Sequence, residues 1–239
     1  ERLVLDGADV VGIDCFTDYY PRAIKEGNLE GLRRHPGFQF VESGIAGADL
    51  GRLLSGQTHV FHLAAQAGVR KSWGRDFSTY TTNNIEATQL LLEALVGSGI
   101  ERVVYASSSS VYGDAAAIPM REDALPQPVS PYGVTKLSAE QLCHLYFVNH
   151  GIPTVSLRYF TVYGPRQRPD MGFNRFLTAA LRDQPITVFG DGEQTRDFTF
   201  VTDAVAATVA AATLGTPGRV YNIGGGSRVS VNEVLEIIG

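Results

Sequence analysis

The chain is short of cysteine, tryptophan and long apolar runs, and each shortage narrows what it can be. Its two cysteines, Cys15 and Cys143, stand far apart and fall on no metal-ligand or redox spacing. That sets aside a disulfide scaffold and a cysteine-held metal, and it fits a reducing cytoplasm. No run approaches the roughly 18 apolar residues of a membrane span and no signal-peptide pattern opens the chain, so a soluble protein with no membrane partner is expected. Basic charge is not in excess either. Lys and Arg number 20 against 25 Asp and Glu, a net charge of −5, and with no basic footprint no nucleic-acid partner is expected.

The rest is ordinary globular composition, 44% hydrophobic and 19% charged, enough for a sizeable core. Strand-like runs fall at Asp9–Ile13, Phe38–Glu42, His59–Leu63, Arg102–Ser107, Thr154–Tyr159, Ile186–Phe189 and Val220–Ile223. Helical patterns lie between them, near Arg22–Arg34, Asp76–Ser98, Tyr132–His150, Phe173–Arg182, Asp203–Leu214 and Val231–Ile238. Val103-Val104-Tyr105 is unbroken by polar residues, as a parallel strand buried on both faces would be. The alternation predicts an α/β fold with a doubly wound parallel sheet.

Val10-Val11-Gly12-Ile13-Asp14 reads as a strand ending in an acid. On the second strand of a dinucleotide-binding unit, such an acid accepts hydrogen bonds from the adenosine ribose. Taken by itself it reads sooner as a turn residue or a helix cap. Glu1–Gly7 reads as the last turns of a helix stopped by glycine. The first strand and its Gly-x-x-Gly-x-x-Gly turn are then expected upstream. The chain also stops partway through a helical pattern, so it reads as a fragment of a longer protein.

Ser130-Pro131-Tyr132-Gly133-Val134-Thr135-Lys136 opens a helix on which Tyr132 and Lys136, four apart, share a face. An ammonium beside a phenol favours the phenolate, and a tyrosine so placed can serve as a general base. The same spacing also occurs on solvated helix faces.

The company of that pair carries a resemblance. Asp14, His62-Leu63-Ala64-Ala65-Gln66-Ala67-Gly68, Ser107-Ser108-Ser109-Ser110-Val111-Tyr112-Gly113, Tyr132/Lys136, Arg158–Pro165 and Thr195-Arg196-Asp197-Phe198 occur in that order. Together they resemble the extended short-chain dehydrogenase/reductases, the NAD-dependent epimerase/dehydratase family. The likeness is nearest to UDP-glucuronate 4-epimerases, through Asp18-Tyr19-Tyr20, Ala67-Gly68-Val69-Arg70 and Gly164-Pro165-Arg166-Gln167-Arg168-Pro169-Asp170-Met171.

The resemblance implies a Rossmann-like domain over residues 1–165 and a smaller substrate-binding part over 166–239, with 196–223 returning to the sheet. It implies NAD, held by Asp14, Leu63, Ala64, Ala65, Tyr132, Lys136 and Phe160. Catalysis would fall to Ser108, Tyr132 and Lys136, the lysine also depressing the tyrosine pKa. A nucleotide-sugar would be held by Ser108, Ser109, Thr161, Arg168 and Arg196. Arg196 would meet the diphosphate, while Arg168, with Thr161 in the same loop, would meet a sugar carboxylate. A homodimer through the 76–98 and 131–150 helices is implied as well.

Resembling 4,6-dehydratases carry an Asp-Glu pair just before Val-Tyr-Gly, and resembling decarboxylases a Glu. Here Ser109 and Ser110 stand there, which favours C4 epimerisation over a lyase. UDP-glucose epimerisation and a non-catalytic NAD-sensing role are the other readings. Gly44 stands where the family usually has an Asp that meets the adenine.

Overall fold

The computed structural model of the protein describes residues 1–114 and 118–239. A short helix α1 (Arg2–Leu5) leads into β1 (Val10–Asp14), α2 (Arg22–Arg33) and β2 (Phe38–Glu42), with β1 and β2 paired in parallel. After α3 (Leu50–Leu54) come β3 (His59–His62), the helical run α4 (Phe77–Tyr80) and α5 (Ala87–Leu95), β4 (Arg102–Ser108), α6 (Pro131–His150) and β5 (Thr154–Tyr159). A second parallel sheet runs β3-β4-β5 and continues into β9 (Val220–Ile223).

Side-chain alternation along β4 builds the layers. Val103 and Tyr105 join Leu91, Leu92 and Leu95 of α5 and Ala139, Cys143 and Tyr146 of α6 in one buried cluster. Val104, between them, faces Ala211 and Ala212 on the other side, with Val155 and Leu157 of β5. Successive residues of a strand point to opposite faces, so a strand covered twice must be apolar throughout. Helices on both faces of a parallel sheet are the doubly wound arrangement.

The remaining strands form two short pairs. β6 (Thr161–Tyr163) pairs in parallel with β8 (Phe198–Phe200), and β7 (Thr195–Arg196) pairs antiparallel with β10 (Val229–Ser230). α7 (Gly172–Leu181) packs on α9 (Val231–Ile238), while α8 (Val201–Leu214) lies against β4 and β5.

Two expected elements differ. Ile186–Phe189 is not a strand. Pro185 has no N–H to offer a ladder, and the Phe189 ring turns instead to the guanidinium groups of Arg70 and Arg175, 4.0 and 5.5 Å from its centre. The helix expected over Asp76–Ser98 is divided by a π-helical stretch at Thr81–Glu86 and stops at Leu95. No helix among the described residues is long and apolar enough to cross a membrane.

Candidate active site

Parallel strands bring their carboxyl ends to one edge, where α/β proteins bind ligands. Asp14 closes β1, Leu63–Ala65 leave β3, Ser108 closes β4 and Phe160 follows β5. Asp14 is exposed, and its Oδ1 accepts a 2.7 Å hydrogen bond from Phe16 N. Leu63, Ala64 and Ala65 are exposed on the way out of β3, and Phe160 is half-buried. The π stretch explains how that exit is held. Buried Asn84 accepts from Gln66 N at 2.7 Å and donates to Gln66 O at 3.1 Å and to Thr135 Oγ1 at 2.9 Å. One widened turn thus ties the β3 loop to α6, a use to which π turns are often put.

Tyr132 is placed by the way α6 begins. Ser130 caps the helix, its Oγ accepting from Gly133 N at 3.1 Å, and Pro131 fills the first turn, where no N–H is needed. A Cβ on Gly133 would stand 2.6 Å from Ser110 O, so a larger residue would push the helix start off the Ser109–Val111 turn. Ser108, just before that turn, accepts from Ser110 N at 3.2 Å. The phenol of Tyr132 comes beside the Ser108 hydroxyl, with the ring of Tyr80 edge-on at 6.3 Å.

Burial pushes the Tyr132 phenol above its ordinary value, while the Ser108 hydroxyl and the Arg168 guanidinium draw it down. This corrects the expectation that Lys136 depresses it. Lys136 is itself buried, its Nζ lying 4.6 Å from the centre of the Tyr105 ring, and burial lowers its own pKa to about 8. Its Nζ lies against another ring, and it is not among the groups that draw the phenol's pKa down. Among the described residues nothing accepts a hydrogen bond from this Nζ.

Arg168 reaches the same place from the loop after β6. Its Nε and Nη2 donate to the two oxygens of Asp170 at 2.9 and 3.0 Å. Thr161 is not in that loop, as had been expected; it opens β6, because its N donates to Asp197 O in line with the β6–β8 ladder. Ser109 is half-buried in the turn after β4. Arg196 stands on β7, exposed, with Nη1 donating to Thr195 O at 2.8 Å. The structure therefore gathers Ser108, Tyr132 and Arg168, sets Lys136 one turn behind on α6, and places Arg196 on β7.

Beneath the site runs a buried polar network that sequence reasoning missed. Arg158 donates from Nε and Nη2 to Glu140 at 3.0 and 2.6 Å, and from Nη1 to the Tyr112 hydroxyl at 2.8 Å. Ser107 Oγ donates to Glu140 at 2.6 Å, and Tyr112 donates to Asn222 Oδ1 at 2.7 Å. The network ties β4, β5, α6 and β9 to the Val111-Tyr112-Gly113 turn. One signal was available: Glu140 follows Lys136 by four residues, so Tyr132, Lys136 and Glu140 form a single stripe on the helix. Tyr19, Asn84 and Asp170 were also missed as parts of the site, and for Asn84 the polar run Thr81-Thr82-Asn83-Asn84 inside a helical pattern was the clue.

Known proteins resemble this chain over most of its length. The model of the NAD dependent epimerase/dehydratase family matches residues 1–224. The "uncharacterized UDP-glucose epimerase YtcB" of Bacillus subtilis (strain 168) is 48% identical over 233 residues, covering 96% of this chain and 73% of that protein. The UDP-glucuronate 4-epimerase of Thermodesulfobacterium geofontis (strain OPF15) is 37% identical over 245 residues, covering 100% of this chain and 74% of the relative. Among solved structures, UDP-glucuronic acid 4-epimerase from Bacillus cereus, in complex with UDP-glucuronic acid and NAD, superposes with a TM-score of 0.96 at 48% identity. That match covers 99% of this chain and 76% of the other.

Proposed function

The chain belongs to the NAD dependent epimerase/dehydratase family, and on that premise we propose that the protein inverts C4 of a UDP-linked hexuronate, UDP-glucuronate, using NAD. The observation that carries the sugar assignment is the guanidinium of Arg168, brought to the Tyr132 phenol at the carboxyl edge of the sheet. A cation there suits a sugar acid.

The residues present fit the cofactor. Asp14 offers a carboxylate at a strand end, suited to a ribose diol, and Lys136 offers an ammonium free of protein acceptors among the described residues. Leu63, Ala64 and Ala65 after β3 and Phe160 after β5 would meet the cofactor from these strand ends. When bound, NAD supplies the oxidation of the C4 alcohol and the reduction of the resulting ketone.

The chain's own part is proton transfer and orientation. Tyr132 takes the proton from the C4 hydroxyl, and because burial raises its pKa, the phenolate is a strong base that Ser108 and Arg168 help to form. The phenol formed then returns the proton when the ketone is reduced. Ser108 and Ser109 orient the hydroxyl, and Arg168 with Thr161 holds the sugar acid. Arg196 answers the diphosphate, a task for which a planar fork is suited.

A lyase reading needs a free carboxylate for proton work at C5. Ser109 and Ser110 stand before Val111-Tyr112-Gly113, and the carboxylates of Glu140 and Asp170 are engaged by Arg158 and Arg168. We also propose a homodimer through α5 and α6, where Leu90, Val134, Leu145 and Val148 stand exposed. Light scattering on the purified protein checks it, a monomer counting against it.

Product analysis of the full-length protein, given UDP-glucuronate and UDP-glucose separately, tests the reading. We expect the C4 epimer of the uronate, no stoichiometric CO2, and weaker turnover of the neutral sugar. A decarboxylated or dehydrated product, or preference for the neutral sugar, would overturn it.

A further inference from the structure

Three stretches that lie far apart in the chain, Asp18-Tyr19-Tyr20, Ala67-Gly68-Val69-Arg70 and the loop ending in Arg168-Pro169-Asp170-Met171, meet at one point. Tyr19 lies across Gly68. A Cβ there would stand 2.2 Å from the Tyr19 hydroxyl and 3.4 Å from that of Tyr80, and the glycine's φ of +105° is one few other residues adopt. The same hydroxyl donates to Asp170 Oδ2 at 3.3 Å, across 151 residues of chain. The Tyr19 ring also carries Lys71 Nζ 4.8 Å from its centre and the Arg168 guanidinium at 5.6 Å.

Asp170 in turn grips Arg168 along one edge only. Its two oxygens take Nε at 2.9 Å and Nη2 at 3.0 Å, a fork-to-fork pair, while Nη2 also reaches Met171 Sδ at 3.5 Å. Among the described residues, Nη1 donates to nothing. The guanidinium is thus fixed in plane by one carboxylate while its outer edge remains available for another. A lone arginine on a flexible stem would have to be immobilised by the substrate. This one is oriented before the substrate arrives.

We propose that Tyr19 and Asp170 are positioning residues, a clamp that holds Arg168 with its Nη1 edge turned to the substrate's carboxylate and so sets the preference for an acidic sugar. The proposal rests on the role given to Arg168 above. It gives a job to Gly68, whose missing side chain makes room for the Tyr19 hydroxyl, and to the tyrosine, whose phenol is pushed up to about 12, first by burial and next by Asp170. A phenol that keeps its proton remains a donor to Asp170 at every working pH.

The test uses the full-length protein with NAD bound and reads two quantities: Kd for UDP-glucuronate and for UDP-glucose by calorimetry, and the fraction of uronate lost as CO2. Asp170→Asn keeps the shape but removes the charge. It should weaken UDP-glucuronate on the order of tenfold, since small misplacements of a binding group are costly. It should also raise the CO2 fraction while moving UDP-glucose less than twofold. Tyr19→Phe, which deletes one oxygen, should shift both readouts the same way by a smaller factor, and Asp170→Glu should recover part of the loss. NAD content and melting temperature of each variant separate these effects from unfolding. Tighter uronate binding in Asp170→Asn would make Asp170 a competitor instead and overturn the clamp. So would unchanged Kd and CO2 fraction in both Asp170→Asn and Tyr19→Phe while Arg168→Ala still lost the uronate, an outcome that leaves the function of Arg168 standing. No selective uronate loss in Arg168→Ala would remove that function and the clamp together.

Discussion

Replacing Glu140 by glutamine should be among the most damaging single-atom-scale changes in this protein. The Glu140 and Arg158 side chains retain only 3% and 4% of their surface. Arg158 donates two charge-assisted bonds to that carboxylate, and its other acceptors are the neutral Tyr112 hydroxyl and Glu122 O at 3.3 Å. Glutamine keeps the volume, so no cavity forms. What it removes is, among the described residues, the only charge paired with a buried guanidinium. Breaking such a pair from one side costs about 3–5 kcal/mol, to be set against a total of roughly 5–15 kcal/mol. At about 2–4 °C per kcal/mol for a protein of this size, the melting temperature should fall by roughly 6–20 °C. Urea unfolding of the full-length protein should show a lower midpoint at unchanged slope. Glu140→Leu with Arg158→Met removes both charges and should recover most of the loss, because replacing a whole buried pair by apolar groups is often neutral. It should not recover all of it, since Ser107 Oγ and Tyr112 lose partners. A Glu140→Gln variant within 1 kcal/mol of the wild type would refute the reasoning, whose premise is that Arg158 is desolvated. A double variant as unstable as the single one would show that the cost lies in hydrogen bonds and not in the charge.

Further outcomes follow from the same geometry. Tyr132→Phe should reduce turnover by roughly two or more orders of magnitude while NAD content is unchanged; single-turnover kinetics with UDP-glucuronate check it, and near wild-type rates would take Tyr132 out of the mechanism. Asp14 should repel a 2′-phosphate, so calorimetry should give tighter binding of NAD than of NADP, a difference that Asp14→Asn should shrink. His62 is buried with Nε2 2.8 Å from Thr88 Oγ1, and burial, helped by the nearby Lys136, lowers its pKa to about 3. The unfolded chain takes up this proton below about pH 6.5 and the folded chain only near pH 3, so stability is intact above pH 6.5 and falls as the pH drops between the two. Urea midpoints from pH 7 to 4 should fall less steeply for His62→Gln than for the wild type.

Much of the architecture could be read from residue order alone. Unbroken apolar runs marked the strands, because a strand covered on both faces has no wet side. Asp14 at a strand end, and Tyr132 and Lys136 at helical spacing, followed from the fixed periods of strand and helix. Those periods say which residues share a face; they do not say what that face is buried against. Hence the spacing led to Lys136 as the partner of Tyr132, whereas packing turned the lysine under Tyr105 and left the phenol to burial, Ser108 and Arg168. Ile186–Phe189 had the composition of a strand, but a strand exists only where a neighbour supplies its ladder. The meeting of Tyr19, Gly68 and Asp170 lay outside the reach of sequence for the same reason. Their contacts span up to 151 residues, and only the tertiary packing of the loops that follow β1, β3 and β6 decides that they touch.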